Sequence, residues 1–85
     1  MELKDTIELM SSLDYRERFK AEYYQLAIRI KKLTKTLEKI KAGNNDFTPA
    51  TNLVDNLSTQ LEYMSRYLDI LKVRAITEKI DLAEV

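Results

Sequence analysis

Apolar residues recur along two long stretches of the chain at helical spacing. Phe19, Tyr23, Leu26, Ile30, Leu33, Leu37 and Ile40 lie 4, 3, 4, 3, 4 and 3 residues apart. That heptad-like stripe occupies one face of a helix, and Asp14 with Glu17 three residues on has the form of a capping box at its start. Leu57, Leu61, Met64, Leu68, Leu71 and Ala75 repeat the spacing 4, 3, 4, 3 and 4. Between the stripes, 42–49 holds the chain's only glycine, Gly43, and its only proline, Pro49. Glycine just past one helix and proline just inside the next mark a helix end and a helix start, with Thr48 as N-cap. A weaker pattern, Leu3, Ile7, Met10 and Leu13, opens the chain, and Ser11-Ser12 separates it from the first long stripe. The spacing thus predicts α1 over about 2–11, α2 over about 14–42 and α3 over about 49–80. The fold class is all-α: a short helix, then a long antiparallel hairpin in one domain covering residues 1–85.

Each long helix carries more apolar surface than one partner covers. On α3, Tyr63, Tyr67, Ile70, Val73 and Ile76 lie beside the main stripe. On α2, Tyr24, Ala27 and Ile28 do the same. A helix apolar beyond one stripe is buried on more than one side, and so small a chain encloses little core of its own. Self-association through a symmetric interface is the expectation. The alternative is a compact three-helix monomer with α1 folded over the hairpin.

Composition narrows the chemistry. Histidine and cysteine are absent, which removes imidazole bases, thiolate nucleophiles and disulfides. One glycine cannot build a phosphate-cradling loop. Carboxylates such as Asp5 and Glu8 sit in the context of a solvated helix end. No enzyme, cofactor or metal site is expected. Met1-Glu2-Leu3-Lys4-Asp5 lacks a basic segment leading into an apolar run, and no apolar stretch has membrane-spanning length. Cytoplasm is the expected compartment, without membrane binding.

The formal net charge is zero, but the charge is unevenly spread. Residues 14–42 carry nine lysines and arginines against four acids, and 29–41 holds six cations with Glu38 as the one acid. Two readings compete. Basic α2 pairs with acidic residues of α3 (Asp55, Glu62, Asp69, Glu78), or it offers a cationic face to an anion. A long nucleic-acid track lacks the usual excess of positive charge; a small phosphate-bearing ligand needs only a few cations and a flat ring. Tyr23 falls in the core stripe. Tyr15, at the start of α2, suits core and site equally, and Tyr63 and Tyr67 suit an interface between copies.

The order of these pieces resembles a known family. A short helix leads to Tyr15-Arg16 and a basic helix bearing Ile30-Lys31. A glycine turn comes next, then a helix with Gln60, Tyr63-Met64 and Val73-Arg74-Ala75-Ile76. This resembles the helical-hairpin sponge proteins of bacteriophages, which sequester cyclic-oligonucleotide immune signals and inhibit CBASS defence, with relatives acting against Thoeris. The resemblance implies a homo-oligomer, a hexamer, that binds a cyclic di- or trinucleotide between protomers. It carries ligand-binding roles onto Tyr15 and Arg16, onto Lys31 or its neighbour Lys32, and onto Gln60, Tyr63 and Arg74. Where the family has glycine before the aromatic, this chain has Glu62, whose carboxylate repels phosphate. Tyr15 and Lys31 are 16 residues apart, roughly 24 Å along one helix, so one chain cannot bring both to a small ligand. Two antiparallel protomers can. The implied activity is sequestration without turnover in the bacterial host cytoplasm. The competing reading is a coiled-coil structural or interaction protein of phage or prophage origin with no small ligand.

Overall fold

The computed structural model describes residues 1–42 and 51–82, with the side chains of 51 and 52 left aside. The predicted turn, with Gly43, Thr48 and Pro49, lies outside the described residues. A 3-10 turn, Leu3–Thr6, runs into a single α-helical turn, α1, Ile7–Met10; the two long helices are α2, Tyr15–Ala42, and α3, Thr51–Glu78. All three predicted helices are present, and no strand occurs among the described residues. Each long helix has 28 residues, about 42 Å at 1.5 Å per residue. They pack against each other along a molecule measuring 45 × 24 × 18 Å. The two long helices by themselves enclose little.

The two stripes meet as the spacing predicts. Phe19 and Leu26 of α2 pack with Leu71 and Ala75 of α3, flanked by Tyr23, Ile30, Met64 and Leu68. The cluster sits at the end where α2 begins and α3 stops. Leu71 is fully buried and Phe19 is 2% exposed. The chain closes the cluster by turning back after α3. Lys79 adopts φ 57°, the Ile80 N–H reaches the Ala75 carbonyl at 2.8 Å, and Ile80 is buried in the core. This is the Schellman way of ending a helix. It stops α3 two residues short of the expected 80.

The N-terminal arm covers the other side of α2. Phe19 and Ile28 are nine residues apart, about half a turn out of phase at about 100° per residue. Ala21, Tyr24 and Ile28, opposite the stripe, are all buried. The arm packs on α2 and, among the described residues, makes no such packing with α3. Its first half differs from the predicted α1 in being a 3-10 turn, in which the Asp5 N–H bonds to the Glu2 carbonyl.

The arm's buried face also differs from the predicted apolar one. Ile7 and Met10 are exposed and Leu13 is 98% exposed, whereas Thr6 is fully buried. The Thr6 hydroxyl donates to the Leu3 carbonyl at 2.7 Å and accepts from Gln25 Nε2 at 2.9 Å. With donor and acceptor both satisfied, burying it carries little penalty, and hydropathy alone does not reveal it. At the start of α2, Asp14 Oδ1 accepts from the Arg16 N–H at 2.9 Å, so Asp14 caps the helix as expected. The reciprocal bond to the Asp14 N–H comes from Ser12 Oγ at 3.0 Å, in place of Glu17.

Candidate anion-binding surfaces

Two clusters gather most of the residues singled out from sequence. The first lies where α2 begins and α3 ends. The Tyr15 hydroxyl donates to Glu78 Oε1 at 2.8 Å and accepts from Arg74 Nη2 at 3.0 Å. Arg74 Nε reaches Glu78 Oε2 at 3.4 Å. The Arg74 guanidinium stands over the Phe19 ring, 5.1 Å from its centroid, a cation–π contact that helps to orient it. The hydrogen bond to Tyr15 is the main cause that holds Arg74 above its ordinary pKa, against a smaller desolvation effect. Arg74 is thus a fixed, solvent-facing cation. Arg16 is exposed at the same end of α2.

The second cluster lies on the far face of α2, where the arm begins. Lys31, Lys32 and Lys35 ring a cavity of about 200 Å³, with Met1, Ala27 and Ile28 as its apolar lining. Three lysines and no acidic residue line it. Lys35 is one helical turn beyond Lys31 and on the same face. Its i+4 position was legible, and the alternative of α1 folded over the hairpin put the arm on the long helices without saying which face of α2 it would wall. Met1 is a tertiary neighbour only.

The expected pairing of basic α2 with acidic α3 does not occur among the described residues. The ion pairs there join Lys4 to Glu2, Arg66 to Glu62 and Arg74 to Glu78. None joins α2 to α3, and none uses a cation of 29–41. The cause is angular for the cavity lysines: Lys31, Lys32 and Lys35 share a face with Ile28, opposite the stripe that meets α3. Hydroxyls cross the hairpin instead, Tyr15 to Glu78 and Tyr67 to Glu22.

Gln60 and Tyr63 join neither cluster through a hydrogen bond among the described residues. They belong to an exposed stripe on α3 with Tyr67, Ile70 and Arg74, spaced 3, 4, 3 and 4. Tyr63 is 65% exposed, and Ile76, farther round the helix, is 79% exposed. Glu62, the acid beside Tyr63, is paired with Arg66 at 2.8 Å. Its charge is therefore partly offset at the position where it would repel a phosphate.

The fold and these surfaces define a helical hairpin with cationic patches on two faces. A family model described as Sequestin matches residues 13–77. The chain belongs to the Sequestin family, the phage sponges of cyclic-oligonucleotide signals that act against CBASS and Thoeris defence. No curated protein and no solved structure matches the chain. No helix among the described residues is long and apolar enough to cross a membrane.

Proposed function

We propose that the protein is a homo-oligomeric sponge that holds a cyclic di- or trinucleotide at its subunit interfaces, lowering the free signal in the host cytoplasm and so silencing CBASS-type defence. The observation that carries this reading is the lysine-ringed cavity on α2. Ammonium groups meet phosphate oxygens with charge-assisted bonds, and the apolar lining suits the face of a base. At about 200 Å³, the cavity falls below the roughly 300–1,000 Å³ of a site for a drug-sized ligand. One protomer therefore offers part of a site. A second copy running antiparallel supplies Tyr15 and Arg16 opposite Lys31 and Lys32, and a two-fold axis duplicates each contact for a ligand with two bases and two phosphates. Arg74, hydrogen-bonded to Tyr15, comes to the pocket with it, and Gln60 and Tyr63 belong to the α3 face that a further copy covers. A hexamer multiplies such pockets, and a sponge acts through affinity times site number.

Calorimetry with a panel of cyclic di- and trinucleotides tests the reading. Binding of at least one at micromolar concentration is expected. Silence of the whole panel at tens of micromolar would leave the interaction-protein reading in its place. Light scattering tests assembly separately. The expected mass is a multiple of the 10.0 kDa protomer. Ile70→Glu, which places a charge in the exposed α3 stripe, is expected to lower that mass while helicity is kept. A 10.0 kDa particle for the unmodified protein removes the shared pocket.

A further inference from the structure

We propose that Glu78 is a built-in occupant of the anion position at Tyr15 and Arg74, a carboxylate that an incoming phosphodiester must displace. The proposal rests on the sponge reading for the identity of the physiological ligand. Its geometry stands apart from that reading. The two carboxylate oxygens take one donor each: the Tyr15 hydroxyl at 2.8 Å and Arg74 Nε at 3.4 Å. Arg74 also donates to the Tyr15 oxygen at 3.0 Å, so hydroxyl and guanidinium form one coupled donor pair. A phosphodiester presents the same feature as a carboxylate: two terminal oxygens sharing one negative charge. Arginine's planar fork suits both.

The placement of Glu78 is locally unfavourable. It is the last residue of α3, where the unpaired carbonyls make the helix end negative and repel a carboxylate. Lys79, at φ 57°, turns the chain away immediately afterwards. The helix dipole therefore gives Glu78 no reason to keep its position; its i+4 spacing from Arg74 and the Tyr15 hydroxyl across the hairpin do. When the carboxylate swings out, it enters solvent, since the Arg74 and Glu78 side chains are already partly exposed. Displacement is cheap, yet the competition is real. Glu78 holds Tyr15 and Arg74 in register across the hairpin while no ligand is present, and it sets the anion strength that a ligand needs to replace it.

Glu78→Gln separates these roles. The amide oxygen still accepts from Tyr15, but the negative charge is gone. Titration with inorganic phosphate, followed by the NMR signal of the Arg74 Nε–H, probes the pair without any cyclic nucleotide. The variant is expected to respond at about three- to tenfold lower phosphate than the unmodified protein, the scale of one screened charge a few ångströms away. Calorimetry with the cyclic oligonucleotide that binds the unmodified protein tightest is expected to show a tightening of the same size. Adding Arg74→Gln is expected to abolish the gain read by calorimetry. Equal or weaker phosphate response in Glu78→Gln overturns the proposal. A gain for phosphate with no cyclic oligonucleotide bound by either protein keeps Glu78 as the occupant and rejects the sponge reading.

Discussion

Lys31→Glu is expected to weaken cyclic-oligonucleotide binding by about a hundredfold or more while leaving the oligomer intact. The substitution replaces one positive charge with a negative one among Lys32 and Lys35, so the local charge falls by two. A unit charge about 4 Å from a phosphate is worth roughly 1 kcal/mol in bulk water and up to about 4 kcal/mol near a protein surface. Two such units give about 3 kcal/mol even with generous screening, and each 1.4 kcal/mol is tenfold in affinity. Lys31 is exposed and takes part in no ion pair among the described residues. Folding therefore has little to lose. Calorimetry and light scattering on the same sample check both halves. Tyr15→Ala is expected to abolish binding too, but it also removes the hydroxyl that Arg74 and Glu78 share, so Lys31 is the cleaner test. Unchanged affinity in both variants dismisses the site.

Leu71→Ala is expected to cost about 3 kcal/mol of stability, within the usual 2–5 kcal/mol for a buried leucine cut back to alanine. Leu71 is fully buried and lies in the cluster with Phe19, Leu26, Ala75 and Ile80. Among the described residues the arm packs on α2 alone, so that cluster is most of what joins the open ends of the hairpin. A domain of this size loses roughly 4–8 °C for each kcal/mol, so Tm should fall by about 10–25 °C. Thermal unfolding followed by circular dichroism at one protomer concentration is the measurement, because association raises the apparent stability of an oligomer. A shift under about 3 °C, well below that range, would place the stabilising contacts elsewhere.

The hairpin was legible because its signal is local and repetitive. Seven apolar positions at spacings of 3 and 4 specify a buried face whatever the neighbours do. The arm was less legible. Its four apolar residues suggested a helix, and its most buried residue proved to be Thr6, satisfied by Leu3 and Gln25. Gln25 is 19 residues away, and no periodicity encodes such a bond. The end of α3 falls two residues before the expected one because Lys79 takes the left-handed conformation that glycine usually marks.

The candidate site divides in the same way. Tyr15, Arg16, Lys31, Lys32, Gln60, Tyr63 and Arg74 were named from residue type and family resemblance. The chain by itself thus settled two long helices, their buried stripes and a concentration of positive charge on the first of them. Only the tertiary structure decided that Lys35 and Met1 share a cavity with Lys31 and Lys32, that these lysines lie on the face turned from α3, and that Arg74 meets Tyr15 and Glu78. The reason is that periodicity sets the angle of each side chain about its own helix axis, whereas a cavity or a hydrogen bond between helices depends on how those axes are placed.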